Sequence, residues 1–203
     1  MHIGLDLDNT LARYDRVFHR RAVAAGLVAP GVPARKRAVR DAIRALPGGE
    51  RRWTELQGEV YGRLMPEAEL APGAADFLLA CRGAGARVSV ISHKTEYPAL
   101  GERVSLRAAA RAWLEAQGFP ARFGVAAADV LFADTQAEKV ALVGGRGCTH
   151  YVDDLVEVLA RPDFPPAVAR VLYDPAGTAA PPAGVRACRS WGAIRALLLG
   201  AAP

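Results

Sequence analysis

Lysine is almost missing from this chain. Of its 26 basic residues 23 are arginine, and lysine occurs only at Lys36, Lys94 and Lys139. A generic surface cation here is therefore an arginine, so a lysine at a site of chemistry counts for more than usual. Cysteine is equally sparse. Cys81, Cys148 and Cys188 form an odd set at wide spacing with no Cys-x-x-Cys pair, which argues against a disulfide framework and against a thiolate zinc site. They read as small buried residues or idle thiols. The four histidines are scattered too, at positions 2, 19, 93 and 150. No apolar run approaches the length needed to cross a bilayer. The start, Met1-His2-Ile3-Gly4, lacks the basic region, apolar core and cleavage site of a signal peptide. A soluble, cytoplasmic protein with no membrane partner is the expectation.

What is present is an ordinary globular composition, 51% hydrophobic and 23% charged over 203 residues, which is enough to fold and to bury a substantial core. The net charge of +5 is unevenly spread. Residues 12–72 hold 12 Lys and Arg against 7 Asp and Glu, whereas the remainder is balanced at 14 against 14. Such an excess suits an anionic substrate or partner, although a solvated Arg-rich face is its commoner cause.

Residues 2–7 read as a buried strand, and the next comparable strand is 87–91. Between them, 16–28, 34–46 and 50–65 carry apolar residues at helical spacing, broken by Pro30-Gly31-Val32-Pro33 and Pro47-Gly48-Gly49. After Pro72-Gly73 the pattern becomes helix 74–83, strand 87–91, helix 105–117 with Ser105 as its N-cap, and strand 130–133. Helix 136–143, strand 149–152, helix 155–160 and strand 168–173 follow, then an edge strand at 185–187 and a closing helix at 190–199. Strands alternating with helices predict an α/β fold, a doubly wound parallel sheet with helices on both faces. The domains expected are a Rossmann-like core of 1–11 and 73–203 and a helical insert of 12–72.

In the first strand's exit, Asp6-Leu7-Asp8-Asn9-Thr10-Leu11, two carboxylates stand two residues apart. Side chains alternate along extended backbone, so Asp6 and Asp8 project from the same side. Like charges that close ask for a cation or a catalytic task. Ligands of a parallel sheet bind beyond the carboxyl ends of its strands. Ser92 leaves strand 87–91 at that edge, Asp153 and Asp154 leave strand 149–152 there, and Lys139 can reach the same point from its helix. Taken singly each has a plainer reading: Ser92 as a loop cap, Lys139 as a solvated helix residue, and Asp153-Asp154 as a helix N-cap pair.

In this order, Asp6-Leu7-Asp8-Asn9-Thr10-Leu11, Ser92, Lys139 and Val152-Asp153-Asp154 resemble the four motifs of the haloacid dehalogenase-like (HAD) hydrolase superfamily, over nearly the whole chain. The resemblance implies a Mg²⁺-dependent phosphatase. Asp6 would be the nucleophile, forming an aspartyl-phosphate. Asp8 would be the acid that protonates the leaving oxygen and the base that activates water. Asp6, the Asp8 backbone carbonyl and Asp153 would hold Mg²⁺, with Asp154 a further ligand or an acceptor behind them. Ser92 and Lys139 would cradle the phosphoryl oxygens. Substrate contacts would come from Asn9, Thr10, Arg13, Ser92, His93, Lys94 and Lys139, and at the leaving group from Tyr14 and Arg16, with Arg20, Trp53 and Tyr61 weaker candidates.

An aspartate at position 8 favours phosphatases and phosphomutases over dehalogenases and ion-pumping ATPases, which the resemblance implies generally carry other residues there. The 12–72 insert resembles a type I cap, whose size favours a small phosphorylated metabolite such as a sugar phosphate or nucleotide. A nucleic-acid end phosphatase or binder using the basic cap is the less favoured reading, since few aromatic residues interleave with the arginines. A phosphomutase or other phosphotransferase is a third. A retired scaffold that only binds a phosphometabolite is disfavoured by the intact acidic set.

Overall fold

The computed structural model describes residues 1–200. Among these, residues 1–12, 70–94 and 117–200 form one compact unit, and residues 13–69 and 95–116 form a second.

The first unit is built on a six-stranded sheet. Its strands are β1 (His2–Leu5), β4 (Arg87–His93), β5 (Val130–Ala133), β6 (His150–Asp153), β7 (Ala169–Tyr173) and β8 (Val185–Cys188), in the order β5-β4-β1-β6-β7-β8. Every pairing is parallel, with Leu5 beside Val90 on one side and beside Val152 on the other. Parallel strands covered on both faces need apolar runs without alternation. The five central residues of β4, from Val88 to Ser92, are accordingly all buried. Around the sheet lie α4 (Ala74–Gly83), α6 (Gln136–Gly145), α7 (Val156–Leu159) and α8 (Trp191–Leu199). Right-handed crossovers taken in opposite directions from β1 put helices on both faces, the doubly wound arrangement expected from the helix and strand pattern.

The order of the sheet decides where chemistry can occur. From β1 the chain builds outward to β4 and β5, then returns to build β6, β7 and β8 on the other side. At that switch point the loops from β1, β4 and β6 part, leaving a crevice at their carboxyl ends. Close packing holds the three strands together. A Cβ on Gly4 would lie 2.7 Å from the Tyr151 ring, so β1 must carry glycine there for β6 to present a tyrosine. The Tyr151 hydroxyl donates to the Ile91 carbonyl at 2.6 Å, tying β6 to β4 across β1.

Strand β1 ends at Leu5, short of the predicted residue 7, although the Asp6 amide still donates to the Val152 carbonyl at 2.9 Å. Leu11 and Ala12 then both donate to the Leu7 carbonyl, winding the chain into a single turn that ends the extended run. Asn9 takes the left-handed conformation this turn needs, with φ of 64°. Asparagine tolerates that region better than most residues. Two short strands, β2 (Ala12–Arg13) and β3 (Glu69–Leu70), pair where the chain leaves the first unit and returns to it.

The second unit holds α1 (Asp15–Ala24), α2 (Lys36–Arg44), α3 (Gly49–Tyr61) and α5 (Leu106–Ala116). Its core is aromatic. Phe18 stacks on Trp53 at 4.9 Å, Tyr14 and Phe18 meet Tyr61 edge-on, and the Tyr14 hydroxyl donates to Met65 Sδ at 3.0 Å. The unit extends beyond the 12–72 insert because α5 is amphipathic. Its residues Leu106, Ala110, Trp113 and Leu114 are buried, and the Trp113 indole donates to the Ala68 carbonyl at 2.9 Å. Gly58 of α3 admits residues 98–100, since a Cβ there would lie 2.7 Å from the Leu100 carbonyl oxygen.

Candidate active site

Three strand ends and one helix supply the site, all within the first unit. Asp6 and Asp8 follow β1, Ser92 lies at the end of β4 with Lys94 just past it, and Asp153 ends β6 with Asp154 next. Lys139 stands in the first turn of α6, where Thr135 caps the helix by accepting from the Glu138 amide at 3.1 Å and Glu138 in turn accepts from the Asp134 amide at 2.9 Å. That cap sets the helix start, and with it the reach of Lys139.

The Asp6 carboxylate is the hub. Its Oδ1 accepts from Ser92 Oγ at 2.8 Å and from Lys139 Nζ at 2.7 Å. Its Oδ2 lies 3.4 Å from Thr10 Oγ1, which is also 3.4 Å from Asp154 Oδ1. Lys139, only 1% exposed, bridges to Asp153 Oδ2 at 2.7 Å as well. Asp153 Oδ1 accepts the Leu155 amide at 3.0 Å. Asp8 is held separately by Lys94, whose Nζ lies 2.8 Å from Asp8 Oδ2.

Burial and charge act together on these groups. Burial, and then the negative charge of Asp6, push the Asp153 carboxyl up to about 7 against the pull of Lys139. Burial opposes the charged form of Lys139, yet Asp6 and Asp153 outweigh it and hold the ammonium above the usual lysine range. Tyr151, beneath Lys139 at 5.8 Å, is pushed well above the ordinary phenol range by burial and by Asp153 and Asp6.

One oxygen from each of Asp6, Asp153 and Asp154 lies within 4.8 Å of the others. Three carboxylates against the one ammonium of Lys139 leave a surplus of negative charge. An all-oxygen set of this kind fits a hard divalent cation.

Of the residues singled out in the sequence, the structure brings together Asp6, Thr10, Ser92, Lys139, Asp153 and Asp154, with Asp8 and Lys94 as a linked pair. Asn9 shapes the turn. His93 is exposed, and its Nε2 is 2.9 Å from the Asp134 carbonyl oxygen. Arg13 belongs to the second unit, where it pairs with Asp15 at 3.3 Å. Arg16 pairs there with Glu69, and Arg20 with Glu67. Tyr14 and Trp53 are committed to the aromatic core of that unit. The Lys94–Asp8 pair is what the sequence reading missed. The available signal was alternation, which places Lys94 on the same side of β4 as Ser92.

No family model and no curated protein matches the chain. Solved structures do. A HAD-superfamily hydrolase of subfamily IA, variant 1, from Geobacter sulfurreducens PCA is 16% identical over 97% of this chain and 95% of its own, with a TM-score of 0.60. A HAD family hydrolase from Deinococcus radiodurans R1 with bound phosphate and sodium is 17% identical over 97% and 94%, with a TM-score of 0.55. A dehalogenase is 14% identical over 97% and 96%, with a TM-score of 0.57. The chain thus has the fold of HAD-superfamily hydrolases, a fold shared by more than one chemistry.

Proposed function

We propose that the protein is a HAD-superfamily phosphatase that hydrolyses a small phosphomonoester with Mg²⁺, through an aspartyl-phosphate on Asp6. The observation that carries this reading is the Asp6 carboxylate itself, held on one oxygen by Ser92 and Lys139 while a second carboxylate, Asp8, stands two residues on. Asp6, Asp153, Asp154 and the Asp8 backbone carbonyl would hold the ion. When bound, it supplies the positive charge that lets a phosphate dianion approach a carboxylate.

The chain's own residues then divide the work. Ser92 and Lys139 fix the Asp6 carboxylate and offer a hydroxyl and an ammonium to the phosphoryl oxygens. An oxygen of Asp6 attacks phosphorus, and the bond from phosphorus to the leaving oxygen breaks. Asp8, protonated, gives its proton to that oxygen. In the second half Asp8 takes a proton from water as the water attacks phosphorus, which frees Asp6, releases inorganic phosphate and restores protonated Asp8.

The helical second unit is proposed as the cap that selects the leaving group, with Arg13 its candidate contact. Supporting this, the chain enters that unit directly after Thr10-Leu11-Ala12 and again directly after Lys94. A small-molecule substrate is preferred to nucleic acid because few aromatic residues interleave with the arginines of residues 13–69, and Tyr14, Phe18, Trp53 and Tyr61 pack against one another in the core of that unit. The test is turnover of p-nitrophenyl phosphate with and without Mg²⁺. The unaltered protein is expected to turn over only with the metal, and Asp6→Asn to lose at least about a thousandfold in kcat with an unchanged circular dichroism spectrum. Undiminished turnover by the variant would contradict the reading.

A further inference from the structure

We propose that Lys94 is a positioning residue for Asp8, one that fixes the orientation of the carboxylate assigned the proton transfers; the inference rests on the phosphatase reading above. Lys94 is only 4% exposed although lysine is among the residues least often buried. Its Nζ lies 2.8 Å from Asp8 Oδ2. Its own backbone is fixed, since the Lys94 amide donates to the Ala133 carbonyl at 2.9 Å and so continues the β4–β5 ladder past the last strand residue.

The two contacts lie side by side on the same two chain segments: Ser92 meets Asp6, and Lys94, two residues on, meets Asp8, two residues on from Asp6. The end of β4 therefore delivers a hydroxyl to the nucleophile and, one step past the strand, an ammonium to its neighbour in the turn that follows β1. The chain's use of basic residues bears on the choice. Two of its three lysines are buried in this pocket, each against carboxylate, while its 23 arginines serve other places. A compact ammonium touches one carboxylate oxygen without the broad planar fork of a guanidinium.

The consequence is orientational. Rotation about the last torsion of a free aspartate is broad, so its oxygens exchange places readily. With Oδ2 anchored by Lys94, Asp8 has one defined oxygen, Oδ1, to carry the proton to the leaving group. General acid catalysis matters most for poor leaving groups, so the role of Lys94 should grow as the leaving group worsens.

The experiment is a double-mutant cycle of Lys94→Gln, Asp8→Asn and both together, read as kcat/KM with Mg²⁺ for an alkyl phosphate and for 2,4-dinitrophenyl phosphate. Folding is checked by circular dichroism, and the inhibition constant of inorganic phosphate is measured alongside. Lys94→Gln is expected to lose about a hundredfold on the alkyl phosphate and less than about threefold on the dinitrophenyl ester, with phosphate inhibition unchanged. The double variant should be no slower than Asp8→Asn alone. Because it replaces an ion pair with an amide pair, it keeps the test decisive even if Lys94→Gln folds poorly. Equal losses on both substrates, weaker phosphate inhibition, or effects that multiply in the double variant would overturn the role of Lys94. Absence of Mg²⁺-dependent turnover by the unaltered protein would instead overturn the phosphatase reading on which it rests.

Discussion

Lys139 is the residue on which the electrostatics of the pocket turn. Its ammonium sits 2.7 Å from both Asp6 and Asp153, and all three side chains are nearly sealed from water. Removing one member of a buried ion cluster leaves its partners uncompensated, at a cost of about 3–5 kcal/mol. Lys139→Met keeps most of the side-chain volume and removes the charge. It is expected to lower the thermal midpoint markedly without metal, and to recover more of that loss on addition of Mg²⁺ than the unaltered protein gains. Thermal unfolding with and without Mg²⁺ checks both effects, and a midpoint equal to that of the unaltered protein would contradict the ion cluster. Asp6, Asp8 and Lys139 were legible in the sequence as candidates because their placement follows from a strand end and from spacing along a helix. The partner of Asp8 was not. Lys94 lies in His93-Lys94-Thr95-Glu96-Tyr97, which the sequence offers as a source of substrate contacts, and its pairing with Asp8 is visible only once the β4–β5 ladder is seen to continue to it.

At the scale of elements, the site depends on how closely three strands pack. Gly4 is the tightest point, for a Cβ there would meet the Tyr151 ring at 2.7 Å and Cys148 Sγ at 3.1 Å. Tyr151 in turn lies beneath Lys139 and bonds to β4. Gly4→Ala must therefore push the ring, and overpacking of this kind costs about 1–3 kcal/mol. The variant is expected to lose that much in urea unfolding and to lose turnover beyond what the stability change explains, since the ring under Lys139 moves. An unchanged midpoint would contradict the close approach. Elements with a full period of signal were read well: α4 and β5 begin and end where proline, glycine and apolar pattern place them. The paired strands β2 and β3 were not read, because two residues carry no periodicity.

Across the whole molecule, the legible part was the alternation of strands and helices, which leaves few topologies once crossovers must be right-handed. That rule, with the switch point it creates beside β1, is enough to bring Asp6, Ser92 and Asp153 to one crevice from the sequence pattern. The division into units was less legible. Residues 95–116 join the helical unit through Trp113 and the buried face of α5, tertiary contacts with no local signature. The arginine excess of the insert was also only half informative, since sequence counts charges and structure shows their pairing.

The central claim is that Asp6 is transiently phosphorylated, and chemical trapping tests it most directly. The protein is mixed with Mg²⁺ and a reactive aryl phosphate, quenched with borohydride, digested and sequenced by mass spectrometry. Borohydride reduces an acyl phosphate, and the expected result is conversion of Asp6 to homoserine, dependent on substrate and on Mg²⁺. An unmodified Asp6 under conditions of turnover, or reduction at Asp8, Asp153 or Asp154 in its place, would contradict the account.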